Sequence, residues 1–135
     1  MKITADTNLL VRVIVRDEVS QAHSALRILA GSDAVVLPLP CLCEFVWVLT
    51  RTYSLSSAEV AAALRAITQR ANVMTDTHAV DAGLRVLESG GDFADGVIAW
   101  MGASMGAEDF VSFDGKAVDR IKAIGLPATL ATSDA

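Results

Sequence analysis

Apolar positions along this chain fall into two kinds of run, short continuous stretches and longer stretches that recur every three or four residues. The short runs read as buried strands and the longer ones as helices with one face turned inward. Lys2 to Ala5 forms a first strand that stops at Asp6. Leu9, Leu10, Val13 and Ile14 then keep helical spacing, which predicts a helix starting just after Asp6 and interrupted at Asp17-Glu18. A second helix is expected over Ser20 to Ala30, with Ala22, Ala25, Leu26 and Leu29 on one stripe and Gly31-Ser32-Asp33 as its end. Ala34 to Leu37 reads as a buried strand, and Pro40 to Arg51 as a helix whose first turn accepts proline. The serines before Ala58-Glu59 predict an N-cap for a helix through Val60 to Ile67, and Asn72 to Met74 a brief strand. Thr77 to Ser89 is expected to be helical until Gly90-Gly91 stops it, and Asp92 to about Met105 helical again. Asp109 to Phe113 reads as a strand ending at Asp114, Lys116 to Ile124 as a helix closed by Gly125, and Pro127 to Leu130 as a last strand.

Strands and helices thus alternate from end to end. That order predicts an α/β fold, with a short parallel sheet of about five strands covered by helices on both faces. No linker, repeat or low-complexity segment interrupts it, so residues 1–131 are expected to form one domain and residues 132–135 a frayed tail.

Composition narrows the function. The chain has 135 residues, 53% of them hydrophobic and 20% charged, which excludes a disordered protein. Its formal net charge is −5, whereas a protein that coats nucleic acid draws its affinity from an excess of cations. An acidic chain can still cut nucleic acid where its carboxylates hold cations. Cys41 and Cys43 lack the further pair or histidines that a zinc site needs, and they read as buried small apolar residues in a reducing compartment. The most apolar run, Ala34 to Thr50, is broken by two prolines and Glu44 and is short for a membrane span. The expected location is the cytoplasm.

In open α/β sheets, ligands gather beyond the carboxyl ends of strands. Asp6 and Asp114 are expected there, although either is also a natural cap for the helix that follows. Glu44 stands alone in its apolar run, where a buried charge is costly unless it is paired or bound to a cation. Asp92 and Asp95 share one side of a helix start, which suits Asp92 as a cap with Asp95 turned inward. Were these carboxylates to meet, repulsion would raise their pKa values, and a divalent cation would relieve it. Oxygen donors alone suit Mg²⁺ or Mn²⁺, which points to phosphoryl chemistry without choosing between nuclease and phosphatase. His23 and His78 are expected to be bystanders, Phe45, Trp47 and Trp100 core or interface residues, and Met101 and Met105 core filler. The runs Leu9 to Ile14 and Leu42 to Leu49 are candidates for a surface covered by a partner.

Asp6-Thr7-Asn8, with Leu9-Leu10-Val11-Arg12 after it, resembles the opening motif of PIN domains. Glu44 matches that family's second acid, Asp92-Phe93-Ala94-Asp95 with Val97-Ile98-Ala99 its third motif, and Ser112-Phe113-Asp114 its fourth. The series runs in order over about residues 1 to 130, and its nearest likeness is to VapC-type toxins of prokaryotic toxin–antitoxin pairs. The resemblance implies a three-layer α/β/α fold and an endoribonuclease, a hydrolase that uses Mg²⁺ or Mn²⁺. It implies an RNA substrate, a VapB-type antitoxin as partner, and a homodimer. By matching, Asp6, Glu44, Asp95 and Asp114 are the catalytic metal ligands, Asp92 is a weaker one, and Thr7, Asn8 and Ser112 orient them. Gly96 departs from the usual alanine, at a cost of about 1 kcal/mol in helix propensity. Gly115 replaces a frequent basic residue and leaves phosphate contacts to Arg12, Lys116 and Arg120.

Two other readings compete. A phosphatase of the haloacid-dehalogenase type needs a second aspartate where Asn8 stands, and a response-regulator receiver needs an acidic pair near the first strand. A catalytically silent PIN-fold binding module is the alternative of a different class.

Overall fold

The computed structural model describes residues 1–133, so Asp134 and Ala135 of the expected tail lie outside the described residues. The chain divides into two compact units, Met1–Asp76 and the part that begins at Thr77.

The first unit follows the expected order: β1 (Lys2–Thr4), α1 (Thr7–Ile14), α2 (Val19–Gly31), β2 (Ala34–Val36), α3 (Leu39–Arg51), α4 (Ser57–Thr68) and β3 (Val73–Met74). The strands form one parallel sheet in the order β1-β2-β3, with Ile3 opposite Val35 and Val35 opposite Val73. Its core is the apolar stripe of each helix, including Leu10, Leu29, Leu42, Phe45, Leu49 and Leu64, all fully buried. Pro40 sits in the first turn of α3, where a missing N–H costs nothing. At α4 a capping box forms: Ser56 Oγ accepts from Glu59 N–H at 3.1 Å, and Ser56 N–H donates to Glu59 Oε1 at 3.0 Å. Those bonds hold the Glu59 carboxyl below its ordinary pKa.

The second unit holds α5 (Thr77–Glu88), α6 (Phe93–Ser104), β4 (Phe110–Ser112), α7 (Gly115–Ala123) and β5 (Ala128–Leu130). Its strands form a separate parallel pair, Phe110 opposite Ala128 and Ser112 opposite Leu130. All five expected strands exist and all are parallel, but they are grouped as three and two. A core of Val86, Ala99, Val118, Ile121 and Ala128 joins α5, α6, α7 and β5.

Helices α5 and α6 pack at unusually close range. A Cβ at Gly83 would lie 2.6 Å from the Phe93 ring, and one at Gly96 would lie 2.4 Å from the Ala82 carbonyl oxygen. Gly96, read as a small loss of helix propensity, is therefore required by packing. Two other expectations change. Met101 and Met105 are 39% and 84% exposed, so neither is core filler, and Trp47, at 59% exposed, keeps only the interface half of its expectation. The runs Leu9 to Ile14 and Leu42 to Leu49 are largely core instead, with Leu10, Val11, Val13, Leu42, Phe45, Val46 and Leu49 buried. Among the described residues no helix is long and apolar enough to cross a membrane.

Candidate functional site

Asp6 follows β1 and is the N-cap of α1, its Oδ1 accepting from Thr7 N–H at 2.7 Å. Asp114 follows β4 and is the N-cap of α7, its Oδ1 accepting from Lys116 N–H at 3.0 Å and Ala117 N–H at 3.2 Å. Asp92 caps α6 through Oδ1 to Ala94 N–H at 3.1 Å. Capping and ligand duty are compatible here, because each cap occupies one carboxylate oxygen and the second forms no hydrogen bond among the described residues.

In the first unit, Asp6 and Glu44 line one open pocket of about 380 Å³ together with Thr4, Ala5, Thr7 and Cys41. Glu44 is exposed, contrary to the burial inferred from its apolar neighbours in sequence. It projects from α3 on an edge that leaves Leu42, Phe45 and Val46 facing inward. Among the described residues its carboxylate forms no hydrogen bond or ion pair.

Behind this pair lies a clasp that sequence reading missed. Thr7, a polar side chain only 3% exposed, shares its one Oγ1 hydrogen between the Cys41 carbonyl at 3.4 Å and Cys41 Sγ at 3.6 Å. Cys41 Sγ in turn donates to the Ala5 carbonyl at 3.5 Å. The clasp joins the end of β1, the start of α1 and the first turn of α3, the segments that carry Asp6 and Glu44. Cys41 and Cys43 are both half-buried rather than buried. Burial pushes the Cys41 thiol up from its ordinary pKa, and the negative charges of Asp6 and Glu44 push it further, against a lowering hydrogen bond from Thr7. Thr7 thus ties the elements together, where orientation of a carboxylate by its hydroxyl was expected. Asn8 is exposed, lines a different groove with Arg12, and makes no side-chain hydrogen bond among the described residues.

In the second unit, Asp92 and Asp114 both lie within electrostatic reach of Asp95. Asp95, in the first turn of α6, is half-buried. Its carboxyl is raised above the ordinary aspartate value, mainly by desolvation, then by the charges of Asp92 and Asp114, with Arg120 pulling the other way. Ser112 Oγ accepts from Asp114 N–H at 3.0 Å and so fixes the turn that presents Asp114. Of the three expected phosphate contacts, Arg12 is already paired with Asp17 at 2.8 Å, Lys116 is exposed, and Arg120 is half-buried near Asp95. His23 and His78 are exposed, with His78 stacked on Trp100 at a ring separation of 5.7 Å.

Among the described residues no group of three or more His, Cys, Asp or Glu is gathered into a metal-holding cluster. Pairs of carboxylates still suit magnesium, which keeps most of its waters and needs only one or two carboxylates alongside substrate phosphates. The unbonded oxygens of Asp6, Glu44, Asp95 and Asp114 are hard donors of that kind. No curated protein matches the sequence. The PIN domain model matches residues 3–124, and PIN domains are in general metal-dependent nucleases that act on RNA or other nucleic acid. On that match the chain belongs to the PIN domain family.

Proposed function

We propose that this protein is an endoribonuclease that hydrolyses RNA phosphodiesters with Mg²⁺ or Mn²⁺, residues 1–131 acting as one nuclease domain. The observation that carries this reading is the set of cap aspartates, Asp6, Asp92 and Asp114, each with one oxygen held by backbone N–H groups and the other uncommitted. Asp6, Glu44, Asp95 and Asp114 hold the cation, with Asp92 auxiliary. When bound, the cation lowers the pKa of a water and offsets charge on the phosphoryl oxygens. Asp95, a half-buried carboxylate in the first turn of α6, would orient that water and accept its proton. The Thr7–Cys41 clasp and the Ser112 turn keep the carboxylates in place. Arg12, Lys116 and Arg120 supply positive charge for the substrate.

The biological setting follows the VapC resemblance: a cytoplasmic toxin held in check by a VapB-type antitoxin, and a homodimer. Exposed apolar side chains support a covered surface, with Ile98 57%, Val111 60% and Phe113 72% exposed. The test is incubation of the purified protein with total RNA, with and without Mn²⁺. Cleavage should require the metal and leave 5′-phosphate ends, and Asp6→Asn should slow it by at least about a hundredfold while leaving the fold intact. Cyclic phosphate ends would refute attack by water. RNA left whole at every metal concentration would favour a silent binding module.

A further inference from the structure

Helix α5 ends in a left-handed cap. Gly90, at φ +92, donates its N–H to the Leu87 carbonyl at 3.0 Å, and Gly91 donates to the Val86 carbonyl at 2.9 Å. A turn of this kind asks for glycine at the first of these positions only. What Gly91 has is a close neighbour. A Cβ there would lie 2.5 Å from Arg120 Cδ, 3.1 Å from Arg120 Nε and 2.8 Å from Val86 Cγ1, and one on Gly90 would lie 3.7 Å from a guanidinium nitrogen of Arg120. The arginine stem, rising from α7, therefore crosses bare backbone as over a shelf.

Its charge lies within reach of Asp95, yet among the described residues Arg120 forms neither an ion pair nor a side-chain hydrogen bond. A half-buried guanidinium that is held in place but unspent is a site for an anion. Arg12 pairs with Asp17, and Lys116 is exposed.

We infer that Gly91 and Arg120 form a phosphate grip, in which the missing side chain at Gly91 lets the Arg120 guanidinium lie within reach of Asp95 and receive a backbone phosphate of the RNA substrate. This rests on the nuclease reading above and names the residue that binds the substrate there.

The test is steady-state cleavage of a short single-stranded RNA, with binding of the same RNA followed across a salt series. R120Q should raise KM roughly tenfold, change kcat much less, and reduce the slope of log affinity against log salt by about one. R120K should not restore KM, because a lysine lacks the planar fork. G91A should copy R120Q, and the double variant should be no worse than either, since both remove one contact. K116Q should shift KM less than R120Q. Because Val86 also crowds Gly91, circular dichroism must show G91A folded; otherwise the Arg120 variants alone decide. Unchanged KM and salt slope in R120Q would overturn the grip while leaving the nuclease reading intact, and so would losses that add in the double variant. If the wild-type protein cuts no RNA with any metal, the nuclease reading falls. The salt slope then decides the grip alone: loss of about one unit in R120Q upholds it, and no change ends it.

Discussion

Asp6, Asp92 and Asp114 each divide one carboxyl group between two duties, a cap through Oδ1 and a free oxygen beyond the helix start. Asp95 is different. Its N–H donates to the Asp92 carbonyl, but its carboxylate accepts no cap bond and is left desolvated near two like charges. Its folded-state pKa is raised, so the protonated form is favoured by folding. The stability linked to it is fully present below the unfolded pKa and is lost as pH rises through the folded value. Metal-free Asp95→Asn should therefore melt at a higher temperature than the wild type at neutral pH. The advantage should shrink as pH falls below the ordinary aspartate range, which thermal melts in EDTA across pH will show. With excess Mg²⁺ the order should narrow or reverse, because only the wild type gains from the cation. Cys41 carries a second residue-scale prediction. Cys41→Ala and Thr7→Val should each weaken Mn²⁺ binding about 10- to 100-fold by titration, whereas Cys41→Ser, which keeps a donor and an acceptor, should retain most of it. Equal losses in the serine and alanine variants would reduce the clasp to packing.

At the scale of elements, the order of strands and helices was legible because each boundary has a local cause. Asp6 and Asp114 cap, Ser56 and Glu59 form their box, and Gly90 and Gly125 adopt φ +92 at helix ends. What was hidden depends on partners distant in sequence. The stretch Val97 to Gly102 of α6 is apolar on every side, so its periodicity gives no phase, and nothing local tells buried Ala99 from exposed Ile98 and Met101. Glu44 looked buried because its neighbours in sequence are apolar, although a helix can turn one residue outward between two core positions. Nor does a strand's own sequence encode which strand it pairs with, which is why a sheet of three and a pair were expected as one. Gly96 is the sharpest case, since its role is visible only once Ala82 and Gly83 lie against it. Gly96→Ala should gain helix propensity and still lose about 1–3 kcal/mol of stability by denaturant unfolding, because a backbone carbonyl cannot yield as a side chain can.

For the whole molecule, the proposed function and a net charge of −5 predict that divalent cations stabilise the fold and that RNA binding depends on a few placed cations. The exposed apolar residues of the second unit fit the proposed homodimer. Ile98→Asp should shift sedimentation toward the monomer while changing the monomer's unfolding free energy by no more than about 0.5 kcal/mol, as for an ordinary surface change. The proposed ligands read as a series of motifs in order; Asp6 and Glu44 line one pocket, and Asp95 lies within electrostatic reach of Asp114. Whether both pairs serve one cation is a property of the whole chain, and Mn²⁺ reports it directly. In a titration followed by NMR, substoichiometric Mn²⁺ should broaden the amide signals around Asp6, Glu44, Asp95 and Asp114 together. Broadening confined to Asp6 and Glu44, or to Asp95 and Asp114, would contradict a shared metal and the nuclease mechanism built on it.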